Sequence, residues 1–265
     1  MAEFSKKDKQ GLALAGGVVI AFLGLFAAYF ALSNKEQLDE RLCPRAIERK
    51  TVILVDLSDG TPAQTIDEIK SRITRLIQNE VHQGELVSVF YVTDAAQTAL
   101  RPEFSACLPQ SEANIVYESE REITKSFEEA FQQPLDEALG NQQVGSDASP
   151  LAEVVTDFVA SSYLDAPYNR LVIFSDLMQN SSALNLYSCS DGASAIDTYR
   201  AARAGAIERP ELLNTAVSLN IIPREGLGRQ VADCRGGFWN WYFGDNTGQS
   251  ASTDVTYLPG GASVL

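Results

Sequence analysis

Short apolar runs alternate with longer amphipathic segments along most of the chain. Continuous apolar and β-branched runs predict buried strands, and weaker runs predict shorter ones. The predicted strands cover residues 51–55, 86–92, 99–107, 170–174, 216–222 and 255–258. Apolar residues at helical spacing predict the helices between them, at residues 62–77, 117–139 (one helix or a pair), 150–164, 193–206 and 227–243. This alternation predicts a doubly wound α/β domain, with a mostly parallel sheet and helices on both faces.

The first segment of the chain has a different pattern. Residues 11–32 carry no charged side chain, and the polar residues 1–10 before them include three lysines. A helix rises about 1.5 Å per residue, so this segment is long enough to cross a bilayer. A cleaved signal peptide is the alternative, although its apolar region is usually only about 7–15 residues long. The prediction is a cytoplasmic tail (1–10), a transmembrane helix (11–32), a juxtamembrane linker (33–50) and the α/β domain (51–265).

Small residues recur along one face of this predicted transmembrane helix. They are Gly17, Ala21, Gly24 and Ala28. Small residues at this spacing let helices approach closely, which predicts an oligomer formed through the transmembrane helix. Glycine is also common in membrane helices that have no such partner, so small residues that only contact lipid are the alternative.

Charge and histidine content exclude several classes of function. The net charge is −14, from 35 acidic and 21 basic residues, and His82 is the one histidine. Binding of nucleic acid needs a concentrated basic surface, so no nucleic-acid partner is expected. The acidic balance favours cations or basic proteins as partners, or serves solubility alone. One histidine is too few for a multi-histidine zinc site, and it leaves little basis for a histidine-based mechanism.

The number and spacing of the four cysteines indicate the cellular compartment of the protein. They are scattered along the chain, with none in a C-x-x-C pair. An even number of scattered cysteines is typical of an oxidising compartment, and buried reduced thiols are the alternative. We therefore expect a single-pass protein of the inner (cell) membrane, with its N-terminus cytoplasmic and its body periplasmic or extracellular.

Polar side chains follow two of the predicted buried strands. The stretch VILVDLSDG brings Asp56 and Ser58 to the end of the first strand, LVIFSDL brings Asp176 to a later one, and Ser149 precedes a predicted helix in ASPLAE. The carboxyl ends of parallel strands meet at one edge of a sheet, and oxygen ligands there favour a hard cation. Singly, each residue has another explanation: Asp56, Ser58 and Ser149 as helix caps, and Asp176 as a turn residue.

In this order, these residues resemble the metal-ion-dependent adhesion site of von Willebrand factor A (VWA) domains. Asp56 and Ser58 match the start of the family's D-x-S-x-S motif, Ser149 stands where the family has a threonine, and Asp176 matches its later aspartate. The chain departs from the pattern at Gly60, where a second serine is expected. The resemblance implies Mg²⁺ or Mn²⁺ held by Asp56, Ser58, Ser149 and Asp176, with the neighbouring Thr61 as a substitute hydroxyl.

A second departure lies next to the later aspartate, because Leu177 follows Asp176 where the family often has glycine. Four cysteines allow three connectivities, and the sequence does not choose between them. Their placement in such a fold favours the pairs Cys43–Cys107 and Cys189–Cys234.

Together, the predicted anchor, the cysteines and the resemblance predict a membrane-anchored binding module in a bacterial envelope assembly, not an enzyme. A bound cation would offer an open position to an acidic side chain of a protein partner. One alternative is a structural subunit whose site has lost its metal, which Gly60 favours. A Mg²⁺-dependent phosphohydrolase is another, but it would need an acid where Ser58 stands. The aromatic cluster between Phe238 and Phe243 is expected in the core, with a partner-binding patch as the alternative.

Overall fold

The structure is a computed structural model. It describes residues 15–27, 38–57, 61–92, 100–110, 119–140, 148–224, 226–244 and 253–259. The chain forms two compact units, Met1–Leu38 and Asp39–Leu265.

In the first unit, residues 15–27 form a helix, α1, whose side chains are exposed. Within the described residues, no helix has both the length and the apolar character needed to cross a membrane. The predicted transmembrane helix covers residues 11–32, so its first four and last five residues lie outside the described part of the chain.

The second unit contains a six-stranded sheet with the order β3-β2-β1-β4-β5-β6. Its strands are β1 (Arg49–Val55), β2 (Leu86–Tyr91), β3 (Phe104–Cys107), β4 (Tyr168–Ser175), β5 (Thr215–Ile221) and β6 (Thr253–Tyr257). Only the β2–β3 pair is antiparallel among these described strands. This is the order of a doubly wound sheet, and the predicted fold class of the body is confirmed.

Helices cover both faces of this sheet. The helices of the second unit are α2 (Ala63–Glu80), α3 (Glu120–Phe127), α4 (Gln133–Gly140), α5 (Leu151–Val159), α6 (Gly192–Ala202) and α7 (Arg229–Phe243). Residues of α5, α6 and α7 share one buried cluster, and residues of α2 and α4 share the other. The strands contribute to both clusters alternately: Val52 and Leu54 to the first, and Ile53 and Val55 to the second. The continuous apolar strands follow from this burial on both faces.

The predicted helices differ from those observed in three places. Helix α6 ends at Ala202 rather than continuing to residue 206. The segment 117–139, predicted as one helix or a pair, is two helices joined by one π-helical turn, Glu128–Gln132, that ends two residues before Pro134. Proline has no N–H to continue an α-helical ladder, which accounts for the break. Helix α5 ends at Val159 rather than continuing to residue 164. There the Ser161 hydroxyl donates to the Phe158 carbonyl (2.7 Å) and accepts from the Tyr163 N–H (3.1 Å), which closes a turn instead.

All four cysteines are paired as their placement favoured. Cys43 bonds Cys107, and Cys189 bonds Cys234. The first disulfide joins the segment before β1 to the last residue of β3, with both cysteines buried. The second joins the loop before α6 to α7. The alternative of four reduced thiols is therefore wrong for this structure.

Candidate functional site

Asp56 follows the last residue of β1 and is almost completely buried, with 3% of its surface exposed. Its Oδ2 atom accepts hydrogen bonds from the hydroxyls of Ser149 and Ser175, each at 2.8 Å. Ser175 is the last residue of β4, which pairs with β1 in parallel. The carboxyl ends of two neighbouring strands and Ser149, two residues before α5, thus meet at one carboxylate. A buried carboxylate needs such donors, because an unpaired one is costly in the interior.

Ser149 is held in place by the chain that follows β4. Its N–H donates to the Asn180 carbonyl (2.8 Å), and its carbonyl accepts from the Asn180 N–H (2.9 Å). Helix α5 begins after Pro150, and its Ala152 N–H donates to Oε1 of Gln179 at 2.9 Å. Helix α2 begins after Pro62, which has no side chain that could cap it. The hydroxyl of Ser149 contacts Asp56 instead. The capping explanation is therefore wrong for both Ser149 and Asp56.

Asp176 is buried beside this cluster and has two partners of its own. Its Oδ1 atom accepts from the Met178 N–H at 2.9 Å, so the turn explanation is correct for this oxygen. Its Oδ2 atom accepts from Nη1 of Arg224 at 2.6 Å. Burial raises the pKa of the Asp176 carboxyl above its ordinary value, and the negative charge of Asp56 acts in the same direction. The hydrogen bonds from Met178 and Arg224 lower that pKa in part.

Leu177 adopts a left-handed backbone conformation, with φ of 59°. It stands where the VWA resemblance expects glycine, the residue that adopts this conformation without a steric penalty. Its side chain is buried in the cluster under α7, and its carbonyl accepts from Nε1 of Trp239 at 2.7 Å. The apolar burial and this hydrogen bond oppose the backbone cost, which is about 1–2 kcal/mol.

We expect Leu177→Gly to be more stable than Leu177→Ala by about 1 kcal/mol, although both lose the buried side chain. Alanine retains the steric cost of the left-handed backbone conformation, and glycine removes it. This reverses the usual order, in which the alanine variant is more stable than the glycine variant. Urea unfolding measures the difference. Leu135 is the matched control, because it is fully buried inside α4. There the alanine variant should be the more stable by about 1 kcal/mol. An alanine advantage at position 177 as well would contradict the proposed strain.

The structure brings together three of the five predicted ligands: Asp56, Ser149 and Asp176. Thr61 is half-buried and lies two residues before α2, and Ser58 lies outside the described residues, as does Gly60. Within the described part of the chain, no group of three or more acidic, histidine or cysteine side chains is arranged to hold a metal ion. The Asp56 carboxylate and the Ser149 hydroxyl are close enough to contact one ion together, whereas Asp176 is engaged by Arg224.

Sequence reasoning missed four residues at this edge: Ser175, Tyr187, Arg224 and Arg235. Nη1 of Arg224 contacts the Tyr187 hydroxyl at 2.9 Å, and its guanidinium carbon lies 4.8 Å from the centre of that ring. Nη1 of Arg235 donates to the Asp176 backbone carbonyl at 2.9 Å. Arg224 follows the end of β5 by three residues. The rule that strand ends converge could have found it, had basic as well as acidic residues been considered.

The aromatic residues at the end of α7 pack in the core, as expected. Phe238 and Tyr242 are fully buried, Trp239 is 4% exposed, and Trp241 packs against the same cluster from a partly buried position. Trp239 stacks on Phe243 with ring centres 5.5 Å apart. These rings fill the space between α5, α6 and the sheet.

Comparisons with known proteins give structural likeness alone. No family model and no curated protein matches the chain. A von Willebrand factor type A protein from Catenulispora acidiphila aligns with a TM-score of 0.36 and 9% identity, over 82% of this chain and 39% of that one. Human COPII-coat protein Sec24c aligns with a TM-score of 0.36 and 11% identity, over 81% and 30%. The chain therefore spans well under half of either protein, and the fold described above rests on its own strand order.

Proposed function

We propose that the chain is a membrane-anchored protein-binding module of the VWA type, and that it binds its partner at the edge where Asp56, Ser149 and Asp176 meet. The observation that carries this proposal is the buried hydrogen-bonded cluster at Asp56. Two strand ends and Ser149, two residues before α5, contribute to it, with both hydroxyls 2.8 Å from one carboxylate oxygen. In doubly wound sheets, ligands bind outside the carboxyl ends of the strands.

A divalent cation, Mg²⁺ or Mn²⁺, belongs to this proposal as the group that would complete the site. Adjacent ligands of an octahedral Mg²⁺ lie about 3 Å apart, and Oδ2 of Asp56 and Oγ of Ser149 are separated by 2.8 Å. The donor set thus fits in part. When bound, the ion would offer a coordination position to a partner's carboxylate. The pairing of Asp176 with Arg224 favours the second candidate, a binding or structural subunit that works without metal.

The membrane anchor and the envelope location complete the proposal. Residues 11–32 are uncharged, which supports an anchor with the N-terminal tail on the cytoplasmic side. The two disulfides support a body outside the cytoplasm, in a bacterial envelope assembly. Binding is proposed rather than catalysis, because the described edge offers hydroxyls, carboxylates and guanidinium groups but no histidine.

Site-specific photocrosslinking in the native cell tests the binding edge. A photoreactive phenylalanine analogue replaces Tyr187, which contacts Arg224 at the edge. The matched control is Tyr168, which begins β4 at the opposite edge. Both tyrosines are exposed, and each carries an arginine 4.8 Å from its ring centre. We expect one discrete crosslinked partner from position 187, none from position 168, and loss of that product in Asp56→Asn.

Equal products from both positions, or a product from 187 that survives Asp56→Asn, would contradict the proposed edge. Repeating the crosslink in cells permeabilised with a chelator separates the two candidates. Loss of the product then indicates a cation-dependent contact, and its persistence indicates a contact that needs no metal.

A further inference from the structure

Three contacts with described residues hold the guanidinium of Arg224 at the candidate site. Its Nη1 atom lies 2.6 Å from Oδ2 of Asp176 and 2.9 Å from the Tyr187 hydroxyl, and its carbon lies 4.8 Å from the centre of the Tyr187 ring. The arginine side chain is 27% exposed, and that of Asp176 is 10% exposed. A guanidinium held on a ring and on a carboxylate in a partly dry position is a well-ordered charge, unlike most surface ion pairs.

A second guanidinium approaches the same aspartate from α7. Nη1 of Arg235 donates to the Asp176 backbone carbonyl at 2.9 Å. Arg224 thus pairs with the carboxylate of Asp176, and Arg235 with the backbone carbonyl of the same residue. Arg224 therefore supplies, from within the edge, part of the charge compensation that a metal ion would otherwise provide.

The two carboxylate oxygens of Asp176 show why a metal ion and Arg224 would compete for this side chain. Oδ1 accepts from the Met178 N–H and Oδ2 accepts from Arg224. A cation that approached this carboxylate would face a guanidinium at hydrogen-bond distance from its ligand atom, and like charges at such a separation repel strongly where water is scarce. Oδ2 becomes available to a metal or to its bound water when the Arg224 side chain leaves.

We propose that Arg224 is the resident cation of this edge and that it competes with a divalent metal ion for Asp176. In the unchanged protein, Arg224 occupies the position beside Oδ2 of Asp176, and a divalent metal ion binds weakly. Removal of the arginine converts the same residues, Asp56, Ser149 and Asp176, into a metal site. The competition rests on the partner-binding role proposed above for this edge. Its test measures metal affinity and not partner capture, so either proposal can fail alone.

Titration of Mn²⁺ and Mg²⁺ into the full chain tests this competition. The variants are Arg224→Gln, which removes the charge, and Arg224→Lys, which keeps it. We expect Arg224→Gln to bind Mn²⁺ about tenfold more tightly than the unchanged protein, measured by calorimetry and by the Mn²⁺ resonance signal. Asp56→Asn in the same background should abolish this gain. Arg224→Lys should stay close to the unchanged protein.

Arg200→Gln is the matched control for net charge, because Arg200 forms an exposed ion pair with Glu208. It should leave Mn²⁺ affinity unchanged. A gain of fivefold or more in Arg224→Gln, absent in Arg200→Gln, supports the competition. A smaller gain, including no binding by either protein, overturns it. Thermal unfolding checks that each variant folds, and Arg224→Leu, which keeps an apolar stem against Tyr187, replaces the glutamine variant if that one does not.

Discussion

Tyr242→Ala is expected to lower the free energy of unfolding by about 4 kcal/mol, the largest effect of any single substitution considered for this chain. Tyr242 is fully buried near the end of α7. Its ring centre lies 5.0 Å from that of Phe243, 5.2 Å from that of Trp239 and 5.9 Å from that of Phe238. Alanine would leave a cavity among rings that cannot collapse into it, because the helix backbone holds them apart.

The hydroxyl of Tyr242 accounts for a smaller share of this loss. It donates to the Ala152 carbonyl at 2.5 Å and contacts the Thr156 hydroxyl at 2.8 Å, which ties α7 to α5. The Ala152 carbonyl also accepts from Thr156, so it keeps a partner when the tyrosine hydroxyl is removed. Tyr242→Phe should therefore cost about 1 kcal/mol. Burial also raises the pKa of this hydroxyl well above its ordinary value, so it stays protonated throughout the useful pH range.

Urea unfolding followed by tryptophan fluorescence measures both variants, since Trp239 contacts the substituted ring. Tyr242→Phe is the matched control, because it keeps the ring and removes only the hydroxyl. Similar losses for the phenylalanine and alanine variants would show that the hydrogen bonds, not the packing of the ring, account for the stability.

Replacing Cys43 and Cys107 together with alanine is expected to cost about 2–4 kcal/mol. This disulfide closes a span of 64 residues, so its loss increases the freedom of the unfolded chain. It also holds the end of β3, an edge strand of four residues paired with β2 alone among the described strands. The buried cluster around it is small, with Leu86 as its further core member. Little apolar contact remains there to replace the covalent bond.

The Cys189–Cys234 pair is the matched comparison, with a span of 45 residues. Its loss should cost a similar amount, because loop entropy changes slowly with length. The two bonds differ in access, since Cys189 is half-buried and Cys43 and Cys107 are both buried. Under graded reductant in native conditions, mass spectrometry after alkylation should show Cys189 modified first, because Cys234 is as buried as the cysteines of the other pair. Earlier modification of Cys43 would contradict the order that burial predicts.

Much of the fold could be predicted because the sequence of a strand or helix itself contains the signal for that element. The strands of the sheet centre are continuous apolar runs, so residues 51–55 and 170–174 were predicted almost to their ends. Boundaries set by contacts elsewhere were less accurate. The turn after α5 depends on the Ser161 hydroxyl, and nothing in the apolar spacing of the helix signals it.

The same distinction applies to the candidate site. Residues marked by the adjacent sequence were predicted, and residues brought in by contacts between distant segments were not. Asp56 and Asp176 were found because each directly follows an apolar strand, and Ser149 because it precedes a helix. Arg224 was not found, because basic residues near the strand ends were not considered, although its long side chain reaches back to the end of β4. That contact depends on the pairing of β4 with β5 and on the position of Tyr187, which no local pattern encodes. The left-handed conformation of Leu177 is equally hidden, since leucine is not a residue that signals a positive φ.

The two disulfides also decide which parts of the chain can carry mechanical load. A pull along the chain from the N-terminal side reaches Cys43, crosses to Cys107 through the sulfur atoms, and continues from there. Residues 44–106, which include β1, α2 and β2, then lie in a closed loop outside the path of tension. The second bond removes residues 190–233 in the same way. A pull applied along the chain between the two ends of the domain would thus leave Asp56 and Arg224 off the covalent path along which force travels.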